Sequence, residues 1–143
     1  MRPHTLSQAA LRLKTEPLEK VIPEFLDHFY LAKSPEAQIA MFAETPPPTG
    51  SARIDALLAA IAEYLVKQSR LGCPPEWCSD ASRTLVEPWH TTTSTDPGMI
   101  EYLTFSSPAE FRHRNIFTEE QPLRRASGPR AAVVTSRPDV RQP

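Results

Sequence analysis

Residues 51–70, SARIDALLAAIAEYLVKQSR, decide the fold. Ile54, Leu57, Leu58, Ile61 and Leu65 recur at the three- and four-residue steps that place side chains on one face of an α-helix. Alanines fill the gaps, while Arg53, Glu63, Lys67 and Arg70 fall on a polar side. Gly72 follows the last periodic residue and Pro74 stands just beyond, so the chain supplies its own stop signal. This segment is the expected core helix.

Upstream, residues 6–13 suit a short helix with Leu6, Ala10 and Leu13 on one side. Leu18, Ile22, Phe25 and Phe29 make an apolar stripe through residues 15–32. Pro17 fits a first helical turn; Pro23 sits where it must either kink the helix or start a second one. Ser34-Pro35-Glu36 is a third start, with Ile39, Phe42 and Ala43 as its buried side. Thr45-Pro46-Pro47-Pro48-Thr49-Gly50 is an extended connector, expected to be a loop within one domain.

Downstream the periodicity stops. Residues 73–96 hold Pro74, Pro75 and Pro88 together with both tryptophans, Trp77 and Trp89, and predict an irregular loop with a short turn at 83–86. Residues 99–105 fit a helix or a strand; Asp96-Pro97 favours the helix. Ser107-Pro108-Ala109-Glu110 matches a capping box, so a helix of roughly two turns is expected there. On it Phe111 and Asn115 share one side, and Arg112 and Ile116 another. After Pro129 the chain is rich in Arg, Pro, Ser and Ala and is expected to be disordered. The expectation is an all-α or nearly all-α single domain over residues 1–126, followed by a disordered tail at 127–143.

Composition narrows the function. The chain has 143 residues, 16 Lys and Arg against 17 Asp and Glu, and 16 prolines. A near-neutral balance disfavours a folded core that wraps nucleic acid. Arg124, Arg125, Arg130, Arg137 and Arg141 leave room for weak phosphate attraction by the C-terminal region. No apolar run has the length of a membrane span or the pattern of a signal peptide, so a cytoplasmic protein is expected. Cys73 and Cys78 lack the spacing of a zinc pair and read as reduced, structural thiols. No phosphate-binding glycine loop, nucleophile elbow or zinc-protease motif occurs. Glu24, Asp27 and His28 read as surface groups of a helix. No catalytic residue, metal or cofactor is therefore assigned.

What remains is the aromatics Trp77, Trp89, Phe105, Phe111 and Phe117 and the charges among them, of which Trp77, Trp89, Phe111, Arg112, Arg114 and Phe117, with Asn115, are the candidate partner-binding residues. Two readings of it stay open. Either Phe111, Ile116 and Phe117 pack beneath the tryptophan loop while the arginines bond its carbonyls, or these side chains form an interface.

The order EFLDHFYLA, DALLAAIAEYL, PPEW, EPW, SPAEFRHRNIF and LRRA, across residues 16–126, resembles a family of small bacterial proteins. That family is similar to antitoxin-like partners of predicted nucleotidyltransferases. The resemblance implies a non-enzymatic partner-binding protein that neutralises a nucleotidyltransferase-type toxin by direct contact. A nucleotidyltransferase gathers carboxylates around divalent metal, and Arg112 and Arg114 beside Phe111 are the expected cover for such a pocket. The alternatives are a DNA-binding autoregulator using the basic C-terminal region and a structural or scaffold protein.

Overall fold

The computed structural model describes residues 5–125 and is mostly helical. Among those residues the helices are α1 (Leu6–Arg12), α2 (Leu18–Leu31), α3 (Pro35–Ala40), α4 (Ala52–Gln68), α5 (Pro97–Ser106) and α6 (Ala109–Arg112). Two 3-10 turns, Glu76–Ser79 and Ala81–Arg83, and two short strands, β1 (Trp89–His90) and β2 (Ile116–Phe117), complete the order. The expected disordered tail, 127–143, lies outside the described residues.

Helix α4 is the centre of the core. Every residue from Ala56 to Ala62 is buried, as are Leu65 and Val66. The expected amphipathic stripe is thus wider than its periodicity indicated. Alanines at 56, 59, 60 and 62 are buried too and let neighbouring elements approach the helix closely. One flank receives α2, whose Val21, Ile22, Phe25, Leu26 and Phe29 are buried. Phe42 joins Phe25 and Phe29 with ring centroids 5.8 and 5.5 Å apart. Each such ring removed from water contributes about 2–3 kcal/mol. The other flank carries α6 and the two 3-10 turns.

The start signals at Ser34 and Asp96 work as read, and Thr5 and Ser51, which were not singled out, cap α1 and α4 in the same way. Thr5, Ser34, Ser51 and Asp96 each accept a hydrogen bond from a backbone N–H three residues on. Asp96-Pro97 settles the segment after it as helix α5. Helix α2 runs through Pro23 as one element, so the second start is not used. Pro23 has no N–H for the Glu19 carbonyl, and both residues line one cleft. Ala43 is a correction: α3 ends at Ala40 and Ala43 is exposed, while Phe42 is buried as expected.

Two terminations differ from expectation. At the end of α4 the left-handed position falls on Arg70 (φ 56°), ahead of Gly72. Arg70 N–H donates to the Lys67 carbonyl and Leu71 N–H to the Val66 carbonyl, the pair of bonds that defines a Schellman ending. A side chain there carries the usual left-handed penalty. Arg70→Gly is therefore expected to stabilise the protein by about 1 kcal/mol, read as a higher urea midpoint with an unchanged slope.

The second difference concerns residues 107–117. The expected two-turn helix is a single turn, Ala109–Arg112, with Pro108 at its cap. Ser107 does not cap it. Its hydroxyl donates to the Leu103 carbonyl and accepts from Thr118 N–H at 2.7 Å, closing the loop between α5 and the chain after β2. Asn115 then takes a left-handed conformation (φ 66°) and turns the chain into β2, which pairs in parallel with β1. Residues 83–86 likewise differ: the 3-10 turn ends at Arg83.

Candidate functional site

The structure separates the seven residues singled out from the sequence. Phe111 is fully buried and meets Tyr64 of α4 edge-on, with centroids 5.7 Å apart. Arg114 is only 2% exposed. Its guanidinium donates to the Glu63 carboxylate, to the Glu110 carbonyl at 2.7 Å and to the Cys78 carbonyl at 2.8 Å. Arg114 is therefore an internal strut and not part of a surface that could cover a partner's pocket. Asn115 Nδ2 donates to the Leu85 carbonyl at 2.8 Å. Phe117 is half-buried and stacks on the His90 ring at 4.9 Å. Arg112 alone of the two arginines reaches the surface. The intramolecular arrangement thus holds for Phe111, Arg114 and Ile116, with an arginine on a tryptophan-loop carbonyl.

Burial raises the Glu63 carboxyl, but hydrogen bonds from Arg114, Lys67 and His113 outweigh it and hold the group down at about 2. Burial pushes the Cys78 thiol up to about 11, whereas Cys73 is exposed; both are free thiols. Glu24 is bonded to Arg12 at 2.7 Å, and Asp27 pairs with Arg125 through both carboxylate oxygens. Among the described residues no group of three His, Cys, Asp or Glu side chains is placed to hold a metal ion. None of their helices is long and apolar enough to cross a membrane.

The two tryptophans part company. Trp77 is half-buried, donates from Nε1 to the Phe42 carbonyl at 2.9 Å and lies 4.9 Å beneath Arg83. It ties the 3-10 turn to the core. Trp89 instead stands at the rim of a cleft of about 610 Å³. Ile22, Leu57, Ile61, Phe111 and Leu123 give this cleft an apolar floor. Arg53 lies 5.2 Å above the Trp89 ring, and Thr91, Thr92 and Thr93 follow along the edge.

A second surface was not singled out at all. Of α5, Leu103 alone is buried. Phe105 is 74% exposed, Tyr102 48% and Met99 40%. Tyr102 and Phe105 line a shallow groove with Gly98, Glu101 and Ser106. Asp96 caps this helix and Glu101 is on it; Ser106 at its end donates to the Thr118 carbonyl, after which Glu119 and Glu120 are exposed, and His90 meets Thr104 of the same helix at 3.0 Å. Phe105 was counted among the aromatics left over for function but not among the candidate site residues, and Tyr102 served only to weigh helix against strand.

Comparison with family models, with curated proteins and with solved structures gave no match.

Proposed function

We propose that the chain is a partner-binding protein of the antitoxin type and that it docks through the outer face of α5. The observation that carries the reading is that face: three large apolar side chains, two of them aromatic, exposed on one ten-residue helix. Exposed aromatics in a cluster are the residues from which interface hot spots are built. The acids carried by this helix and by the segment after Thr118 fit a partner surface that is basic around an apolar centre. A nucleotidyltransferase-type toxin, the partner implied by the sequence resemblance, grips polyanionic substrate phosphates with cationic side chains. On this reading the protein covers that cationic ground in the cytoplasm and blocks substrate entry. The covering surface is α5; Arg114 has no part in it.

The test is the product of the reading frame beside its own, co-expressed and titrated by calorimetry. The Tyr102→Ser/Phe105→Ser variant is expected to bind about a hundredfold more weakly, as two hot-spot aromatics imply. Its melting temperature should be unchanged or higher, since neither side chain is buried. Wild-type affinity in that variant sinks the reading.

A further inference from the structure

The cleft between α2, α4 and β1 carries a separate assignment, independent of the α5 face. We infer that it is a binding site for a small amphipathic carboxylate, with Arg53 holding the carboxylate and the apolar floor holding the hydrocarbon body.

Arg53 is the starting point. Its guanidinium carbon lies 5.2 Å from the Trp89 ring centroid, within cation–π range. Among the described residues it makes no ion pair and no hydrogen bond from its side chain, although Glu19 and Glu119 line the same cleft. An arginine set against an indole, with no carboxylate bonded to it in a cleft that two carboxylates also line, offers its donors to something else. The planar fork is matched to a carboxylate. Glu19 and Glu119 then act as selectors: they repel a doubly charged phosphate, and they leave Arg53 as the one place in the cleft where a single negative charge is welcome.

The floor supplies the rest. Arg53, Leu57 and Ile61 are four residues apart along α4, so the charged group sits at the end of an apolar row. That row continues across the cleft into Ile22, Phe111 and Leu123. A volume of about 610 Å³ is that of a small-molecule site.

An extended peptide fits less well. In the parallel ladder the His90 backbone points away from β2, toward the side where an added strand would bond. Its carbonyl is already taken by Thr92 N–H at 2.8 Å, and Ser94 N–H bonds Thr92 Oγ1 at 3.1 Å. The edge is folded back on itself and offers no row of free groups for strand addition.

Calorimetry with sodium decanoate on the full chain tests the assignment. Saturable one-to-one binding is expected, at least tenfold weaker in Arg53→Gln and intermediate in Arg53→Lys. Methyl decanoate and decyl phosphate should bind at least tenfold more weakly than decanoate to the wild type. Phe105→Ser should leave decanoate binding unchanged, since the α5 face is a different surface. Arg53 is exposed, so its variants should melt with the wild type. The assignment is overturned by an absence of saturable decanoate binding, by binding indifferent to Arg53→Gln, or by binding lost in Phe105→Ser. It is overturned equally if a peptide with an apolar C-terminal residue and free carboxylate binds while decanoate does not.

Discussion

Replacing Arg114 with alanine is expected to remove about 3–5 kcal/mol of stability, the usual penalty for breaking a buried ion pair from one side. Three elements lose their common partner at once: Glu63 on α4, the Glu110 carbonyl on α6 and the Cys78 carbonyl in the first 3-10 turn. Lys67 and His113 still reach Glu63, so its charge is not left wholly bare, but both stand at the exposed side. The two carbonyls have no substitute donor. Arg114→Met fills most of the volume and should lose nearly as much, which separates lost polar pairing from a simple cavity. Adding Glu63→Leu to Arg114→Met should recover part of the loss, because the orphaned carboxylate is then gone.

The same network sets a pH dependence. Glu63 titrates at about 2 in the folded chain against an ordinary value of 4.5. A lowered folded value means that its contribution is fully present above the unfolded value and disappears as pH falls through the folded one. Wild-type stability should therefore drop between roughly pH 5 and pH 2. The drop should be shallower in Arg114→Met, where the carboxyl loses its strongest donor. Urea melts at pH 7, 4.5 and 3 read both effects. A parallel decline in the two proteins removes Glu63 as the cause.

How much of this was legible in the sequence depended on distance along the chain. Helix α4 and the caps of α3 and α5 are local patterns, and local patterns were readable. Ser107 shows the opposite case. Its hydroxyl had a local use, as a cap for α6, and a remote use on Thr118; the remote one won, and a two-turn helix became one. Nothing near Ser107 announces Thr118. Arg114 was left open between an internal bond to loop carbonyls and an interface, because its carboxylate partner, Glu63, lies fifty-one residues earlier and was counted on a polar face.

The two surfaces show the same limit. Trp89 stood out as a tryptophan in an irregular stretch, but its neighbour Arg53 was assigned to the polar side of α4. Its place four residues before Leu57 on the row that continues to Ile61 was the available signal. The exposure of Tyr102 and Phe105 had no signal beyond composition: an apolar helix is expected to be buried, and only the packing shows that α5 is not.

Arg83→Ala is expected to remove about 3 kcal/mol, by a mechanism unlike that of Arg114. Arg83 is 6% exposed and has no carboxylate bonded to it in the structure. Its two terminal nitrogens donate to the carbonyls of Asp55 at 3.0 Å and Pro46 at 2.8 Å, while its plane lies over Trp77. The Pro46 carbonyl belongs to the extended connector of 45–50, which forms no ladder and whose prolines offer no N–H; a buried carbonyl there has few routes to satisfaction. Burying an uncompensated cation is unfavourable, and the alanine variant is relieved of that burden. What it loses is larger: two charge-assisted hydrogen bonds, each contributing about 1.5–3 kcal/mol, and a cation–π contact contributing about 0.5–2 kcal/mol. Lysine keeps the charge but cannot span two carbonyls while stacking on an indole, so Arg83→Lys should recover less than half of the loss. The connector should open first. Limited proteolysis at residues 45–50 is expected to accelerate in Arg83→Ala at temperatures where α4 still protects its amides from exchange. Cleavage that rises only with global unfolding places the clamp elsewhere.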